Sequence, residues 1–426
     1  MHGQMMTVFI MSLQGLLILI CYDIHKQVGG ENMLRTHKIR CYPNATMRRV
    51  LEQACDYRRY CYNQALATWN EMYDASLVLA DKTARPNERQ VRNELVNNKA
   101  DWQYSRSARI LQLAVHDLAQ AWANFFNPEM PEHRKPRFKS KKRSRYGFKT
   151  DRAMVVNDKL RLDKPQGYLD RWYDIRLAET PRWQGTIKLA AIVKEADGYY
   201  ACLSIDVAKP EPLPASQHVC GVDANVGKYV YNDGEAISAV RVLTEQLVSL
   251  YHRVSLYQRR LARKRQVNPK HFESNNYRAT KTKLQRTYQK VTRIQSDLLQ
   301  KFTTMLVKTN GTLAIEDLDV KHMKMNKRLA KNLHRSLFGR FRMLMKDKAQ
   351  WYGRQLVMVN RFYPSTQRCS QCGLVKTGDD KLSLAGNVFH GTKHHEFHCY
   401  GCGAQLERDE NAVQNLIQYA QGQAMS

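Results

Sequence analysis

HVCGVDANVGKYVYNDGEAIS, His218 to Ser238, reads as two adjacent strands joined by a turn. An apolar run ends in Asp223, and a Gly-containing segment follows before the second run. Two other stretches bring acids to comparable places. TLAIEDLDV, Thr312 to Val320, is an apolar run ending in Glu316. ERDENAVQNLIQYA, Glu407 to Ala420, opens a helix with Asp409 in its first turn, where the helix dipole favours a carboxylate. Taken singly, each acid is what a turn or a helix cap uses. Together they fit two-metal phosphodiester cleavage, in which several carboxylates surround two divalent ions. Hard oxygen ligands suit Mg²⁺. Carboxylates at the ends of neighbouring strands and on a covering helix can meet at one sheet edge. The spacing alone leaves that convergence open.

The cysteines carry a sharper pattern. Four of the ten form two CxxC pairs, Cys369 with Cys372 and Cys399 with Cys402, separated by 26 residues (373 to 398). Each pair is followed by Gly, which permits a tight knuckle turn, and four thiolates at this spacing specify a tetrahedral structural zinc. His390, His394, His395 and His398 lie in or at the end of the intervening loop. Any one of them could stand in for a cysteine, but four thiolates suffice, and the histidines read as a polar surface loop. The second knuckle ends seven residues before Asp409 and so fixes the chain just ahead of that carboxylate. Cys21, Cys41, Cys55, Cys61, Cys202 and Cys220 lack motif spacing and read as buried thiols of a reducing, cytoplasmic compartment, not a disulfide framework.

The 426 residues leave room for two to four domains. A net charge of +29, spread along the chain, points to a polyanionic partner bound in a salt-sensitive way. HRKPRFKSKKRSRYGFK, His133 to Lys149, holds nine Lys or Arg, no acid, and interleaved aromatics. Lys135, Arg137, Lys139, Lys141, Lys142 and Arg143 are candidates for backbone contact to nucleic acid, with aromatics able to stack on bases. From Arg241 to Lys308 there are 16 Lys or Arg against three acids. An ordinary solvated helix mixes signs, so Arg259, Arg260, Arg263, Lys264 and Arg265 are placed against phosphates as well.

The periodicity predicts an α+β, multidomain chain. Residues 34–44 read as a strand, and Thr46 as the cap of a helix carrying Leu51, Cys55, Tyr62, Leu66, Trp69 and Tyr73, a stripe that Arg58 interrupts. A helix near 88–98 and another over 107–126 complete a helical insertion over about 46–130. Residues 153–215 alternate as strands, with a turn at Asp197-Gly198, and together with 34–45 suggest a barrel-like β-domain spanning 33–215. The Pro-rich KPEPLP, Lys209 to Pro214, marks a boundary. The second domain, 216–426, contains a long helical hairpin over about 237–308 that turns near Asn268-Pro269, and holds the zinc ribbon at about 365–405. Residues 1–32 do not match the rest. The apolar run from Met6 to Cys21 is short for a membrane span and a poor signal peptide. Gly29-Gly30-Glu31 can be encoded by a ribosome-binding sequence ahead of Met33, so translation is expected to begin at Met33. A membrane-proximal anchor is the alternative.

The chain resembles the TnpB family, the insertion-sequence-encoded RNA-guided DNA endonucleases related to type V CRISPR effectors. The resemblance runs from about Met33 to Ala420. It is carried by RTHKIRCYPN, KPRFKSKKR, GVDANVGKYVYNDGE, LAIEDLDVKHM, NKRLAKN, KAQWYGRQLV, FYPSTQRCSQCG, CYGCG and ERDENAVQNL. It implies an RNase H-like RuvC domain with Asp223, Glu316 and Asp409 as the Mg²⁺-binding triad, an inserted zinc ribbon, and an N-terminal β-barrel with a helical recognition insertion. It also implies a transposon-derived guide RNA whose 3′ part pairs with double-stranded target DNA, a flanking motif read by the protein, and a nucleoid-associated place of action. A transposase of the same element is a further implied partner. The alternatives are a guided DNA-binding regulator that does not cut, a miniature type V effector, and a transposase acting directly on element ends. Three features depart from the family pattern. Glu407 stands where an Asp is usual, the loop between the CxxC pairs is longer, and LHRSLFGRFRMLMKDK replaces a segment with small residues and a Trp.

Overall fold

The computed structural model describes residues 32–424 except 82, 142–145, 166–171, 233–235, 270, 319–334 and 384. The expected upstream extension (residues 1–31), Cys21, Lys142, Arg143 and the NKRLAKN segment lie outside the described residues. Asn32, placed upstream of the start, is the first residue of a paired strand. The chain divides into two compact units between Lys209 and Pro210, inside the Pro-rich stretch.

The first unit is built on a seven-stranded antiparallel sheet. Its strands are β1 (Asn32–Tyr42), β2 (Gly147–Thr150), β3 (Ala153–Val156), β4 (Lys159–Leu162), β5 (Ile175–Leu177), β6 (Thr186–Glu195) and β7 (Gly198–Ala208). They lie in the order β2-β6-β7-β1-β5-β4-β3. β1 pairs with β7 from Asn32 opposite Ala208 to Cys41 opposite Tyr199. The edge strand β3 returns against β6, so the sheet is nearly closed.

Among the described residues, four helices follow β1 before β2: α1 (Ala45–Val78), α2 (Glu88–Asn97), the short α3 (Asp101–Tyr104) and α4 (Ala108–Phe126). Asn44, not Thr46, caps α1. Its side chain accepts from the Met47 amide at 2.8 Å, a bond that satisfies one orphan donor of the first turn. The predicted stripe of α1 packs on α4, with Trp69 stacked on Trp122 at 6.0 Å. Arg58, which interrupts that stripe, has a partly buried partner. It donates to Asp117 Oδ2 at 2.5 Å, and Lys149 reaches Oδ1 of the same carboxylate at 2.7 Å. Burial opposes ionisation of Asp117, but Lys149 and Arg58 outweigh it and bring the carboxyl down to about 2. A charge on an apolar face is tolerated because the facing helix answers it.

The second unit holds a five-stranded sheet in the order β10-β9-β8-β11-β12. β8 (Val219–Asn225), β9 (Lys228–Asn232) and β10 (Ile237–Arg241) form an antiparallel meander. β11 (Thr312–Glu316) pairs in parallel with β8 on one side and with β12 (Gln355–Val359) on the other. The helices are α5 (Glu245–Val267), α6 (Asn275–Thr309), α7 (Phe338–Tyr352) and α8 (Arg408–Ala424). The hairpin expected over 237–308 is therefore shorter at its start. Residues 237–241 alternate and join β9 as a strand, and the helix begins after Thr244, whose hydroxyl caps it at the Leu247 amide.

The period of two in the strands sorts the sheet into two faces. Cys220, Val222, Leu313 and Ile315 point into a core with Phe302, Leu306, Phe341 and Met345 of α6 and α7. Ala314 on the opposite face meets α8 through Leu416 and Ala420, and Val230 meets it through Val413 and Ile417. Gly221 shares that second face. A Cβ there would lie 2.5 Å from the Val413 carbonyl oxygen, so only glycine allows α8 to come this close to β8. Among the described residues, no helix is long and apolar enough to cross a membrane.

Candidate functional site

Asp223 and Glu316 are on the face covered by α8, because each follows its strand neighbour by two residues: Asp223 follows Gly221, and Glu316 follows Ala314. β8 and β11 are paired up to Val222 and Ile315, which puts Asp223 and Glu316 at the next rung of the same ladder. α8 begins at the same end of the sheet and carries Asp409 in its first turn. Asp223 and Asp409 are each 3% exposed, too little for ordinary turn or cap carboxylates.

The three acids differ in their surroundings. Burial pushes the Asp223 carboxyl up, and the Glu316 and Asp409 charges push it further; Asn225 partly opposes this by donating to Oδ2 at 2.6 Å. Burial also raises Glu316, against the Ser365 hydroxyl that donates to Oε1 at 2.6 Å. At Asp409 burial is outweighed. Lys228 Nζ lies 2.6 Å from Oδ2 and an Arg408 guanidinium nitrogen 3.0 Å from Oδ1, and the carboxyl is held below its usual range. Asp223, raised by burial and by the Glu316 and Asp409 charges, is the carboxyl that a nearby divalent cation would relieve. Lys228, Arg408, Asn225 and Ser365 were not singled out from the sequence. All four sit inside family-like segments, but the contacts of Ser365 with Glu316 and of Lys228 with Asp409 span positions far apart in the chain.

The four predicted zinc ligands come together. The Sγ atoms of Cys369, Cys372, Cys399 and Cys402 all lie within 4.8 Å of one another. Cys369 is 3.8 Å from Cys402, and Cys372 is 3.5 Å from Cys399. These separations exclude disulfides. They approach the edge of about 3.8 Å that follows for a tetrahedron with Zn–S bonds of about 2.3 Å. The knuckles repeat one geometry. The Cys369 amide donates to Leu374 O at 2.8 Å and the Gly373 amide to Cys369 O at 2.9 Å. The Cys399 and Gly403 amides make the same pair of bonds, to Ala404 O and Cys399 O. Gly373 and Gly403 sit at φ of +79° and +76°, which a Cβ would strain. Burial works against the Cys399 thiolate, but the Cys402 and Gly401 amides and the neighbouring thiols bring it down to about 6. The histidines of the loop are not needed as ligands. His390 binds Asp380 at 2.7 Å and packs on Tyr400. The loop closes on itself through bridges Ser383–Gly386 and Asn387–Thr392, and β13 (Glu396–His398) pairs with β14 (Gln405–Glu407) beyond it.

α8 grips the first knuckle. Asn411 Nδ2 donates to Arg368 O at 2.7 Å, and its Oδ1 accepts from the Ser370 amide at 2.8 Å. Asn415 Nδ2 donates to Ser365 O at 2.8 Å and to Arg368 O at 2.7 Å.

The basic candidates divide. Lys135 and Arg137 are exposed. Lys139 lies 3.1 Å over the Tyr62 ring, its backbone is clipped to Asn63, and burial and Arg58 bring its ammonium down to about 6. Lys141 pairs with Asp56 at 3.0 Å. Arg259, Arg260, Arg263 and Arg265 are exposed along α5 and Lys264 is partly so. An open groove of about 510 Å³ at the hairpin turn is lined by Arg260, Arg263, Lys264 and Phe272. The remaining described cysteines are buried, and burial pushes Cys41, Cys55 and Cys61 up to about 12.

Comparison with known proteins agrees with this architecture. Residues 202–327 match the OrfB_IS605 family model, described as "Probable transposase", and residues 338–416 match the Cas12f1-like TNB domain. Residues 33–77 match a model described as a helix-turn-helix domain, although here they form β1 and the single continuous helix α1. A Streptomyces pristinaespiralis protein named "Putative RNA-guided DNA endonuclease" is 29% identical over 397 residues, covering 91% of this chain and 89% of that protein. The Escherichia coli K12 protein named "Putative RNA-guided DNA endonuclease InsQ" is 26% identical, covering 86% and 89%. The fold is similar to that of Cas12f1 in its complex with single guide RNA and target DNA, at a TM-score of 0.50 and 13% identity, covering 91% of this chain and 99% of that one. Fold, cysteine cluster and matched models define an OrfB-type protein of IS605-like elements. The chain belongs to the TnpB family.

Proposed function

We propose that the chain is an RNA-guided, Mg²⁺-dependent DNA endonuclease of a transposable element. The observation that carries this reading is that Asp223 and Glu316 end adjacent strands of the five-stranded sheet where α8 opens with Asp409, near enough for the Glu316 and Asp409 charges to raise the Asp223 carboxyl. The strand order, with an antiparallel meander and then two parallel strands, supports reading the second unit as an RNase H-like (RuvC) nuclease domain. The names of the relatives support guide RNA and target DNA as partners, and the +29 charge suits both.

Asp223, Glu316 and Asp409 are the residues that hold Mg²⁺. When bound by such carboxylates, Mg²⁺ supplies activation of water and neutralisation of charge on the phosphate. The chain's own groups prepare the site. Asn225 orients Asp223, and Lys228 with Arg408 keeps Asp409 ionised. Cys369, Cys372, Cys399 and Cys402 hold a structural Zn²⁺ that fixes the segment leading into Asp409. Lys135, Arg137 and the α5 cations are the exposed contacts for nucleic acid; Lys139 and Lys141 act first within their own unit.

The test is to express the gene with its native flanks, sequence the RNA that copurifies, and assay cleavage of matching DNA in Mg²⁺. One dominant RNA and cleavage that Asp223→Ala abolishes support the reading. A heterogeneous RNA mixture with no cleavage overturns it.

A further inference from the structure

Ser365 stands between the two metal-related features of the second unit. Its hydroxyl donates to Glu316 Oε1 at 2.6 Å. Its carbonyl accepts from Asn415 Nδ2 at 2.8 Å, and the same amide reaches Arg368 O just ahead of Cys369. Ser365 is 4% exposed and Asn415 0%. Both acceptors of the Asn415 amide are carbonyls, which sets its orientation, and its own Oδ1 has no hydrogen-bond partner among the described residues. A fully buried amide that leaves its acceptor unsatisfied is present for its two donors. Asn415 is on α8, the helix that also carries Asp409. Asn411, one turn earlier, clamps Arg368 and Ser370.

We propose that Ser365 is a positioning residue for Glu316, held in place by Asn415, so that the seating of the cysteine ribbon on α8 sets the orientation of the carboxylate. A carboxylate free to rotate presents its oxygens to a cation in several ways. One fixed by a buried hydroxyl presents Oε2 in a single way, and partners of this kind tune the affinity of metal ligands. The ribbon thereby acts on two of the three acids: on Asp409 through the chain that leads into α8, and on Glu316 through Ser365.

This rests on the metal-binding reading above, and direct ion binding separates the two. The full chain is titrated with Mn²⁺ and free ion is followed by electron paramagnetic resonance, for the wild type, Ser365→Ala, Ser365→Thr and Asp223→Ala. Zinc content is measured on each. The expected result is Mn²⁺ affinity weakened about 10- to 100-fold in Ser365→Ala, recovery in Ser365→Thr, and unchanged zinc. Wild-type affinity in Ser365→Ala overturns the proposal. Equal losses in both variants also overturn it, since the side chain then acts by packing. If the wild type shows no Mn²⁺ binding that Asp223→Ala removes, the metal reading itself fails, and the positioning role falls with it.

Discussion

Gly221 of β8 faces the Val413 carbonyl of α8 so closely that a methyl group at Gly221 would lie 2.5 Å from the oxygen. That contact sets the distance between the strand bearing Asp223 and the helix bearing Asp409.

Gly221→Ala is therefore expected to lift α8 from the sheet. Overpacking against backbone is predicted to destabilise the unit by about 1–3 kcal/mol. Cleavage is expected to fall further than stability alone explains, because the acids are spread apart. Chemical denaturation and single-turnover cleavage on the same protein check this, and wild-type cleavage in Gly221→Ala would refute the packing argument.

Removal of Asp117 leaves the partly buried Arg58 and Lys149 without their counter-charge. Asp117→Ala is expected to destabilise the first unit by about 3–5 kcal/mol. The folded carboxyl is depressed to about 2, against about 3.9 unfolded. Its stabilisation is thus present above about pH 4 and is lost as pH falls toward 2. Denaturation between pH 2 and 6 should show a steeper acid loss in the wild type than in Asp117→Asn. Parallel curves would sink the assignment.

Cys399→Ser is expected to reduce zinc content and to loosen the ribbon, with the residues ahead of Asp409 following. Elemental analysis and limited proteolysis report the two effects. Full zinc occupancy in the variant would mean that Cys399 is not a ligand.

Asp223→Ala should abolish cutting while guide and target binding are retained, since the residue is buried at the end of its sheet. Electrophoretic mobility of the guide-loaded chain on uncut DNA tests this. Loss of binding together with cutting would argue for a structural role.

The part of the site legible in sequence is the part written in short-range pattern. Alternation places Asp223 two residues after Gly221, and Glu316 two after Ala314, and CxxC-Gly describes a knuckle from neighbouring residues alone. Ser365 and Glu316 are 49 positions apart, and no local periodicity joins them. Lys228 reads as one more cation in a basic chain until α8 folds over β9. Charge count likewise fails at Lys139, which looks like its neighbours in the basic segment but is taken up by Tyr62 and Asn63. At 237–241 an alternating stretch lay ahead of a strong helical signal and was absorbed into it; pairing with β9 decided its state.

The loop between the knuckles has its own closure. Ser383 with Gly386 and Asn387 with Thr392 form bridges within it, and Asn387 ties back to Asp379 and Lys381. β13 and β14 then bring the chain to α8 in fixed register. Length gained or lost at the tip, around Val388 and Phe389, which are 89% and 76% exposed, is therefore not transmitted to the acids. The tip is a natural site for sequence drift between relatives, and a practical place to graft a fluorophore or an affinity tag onto a working chain.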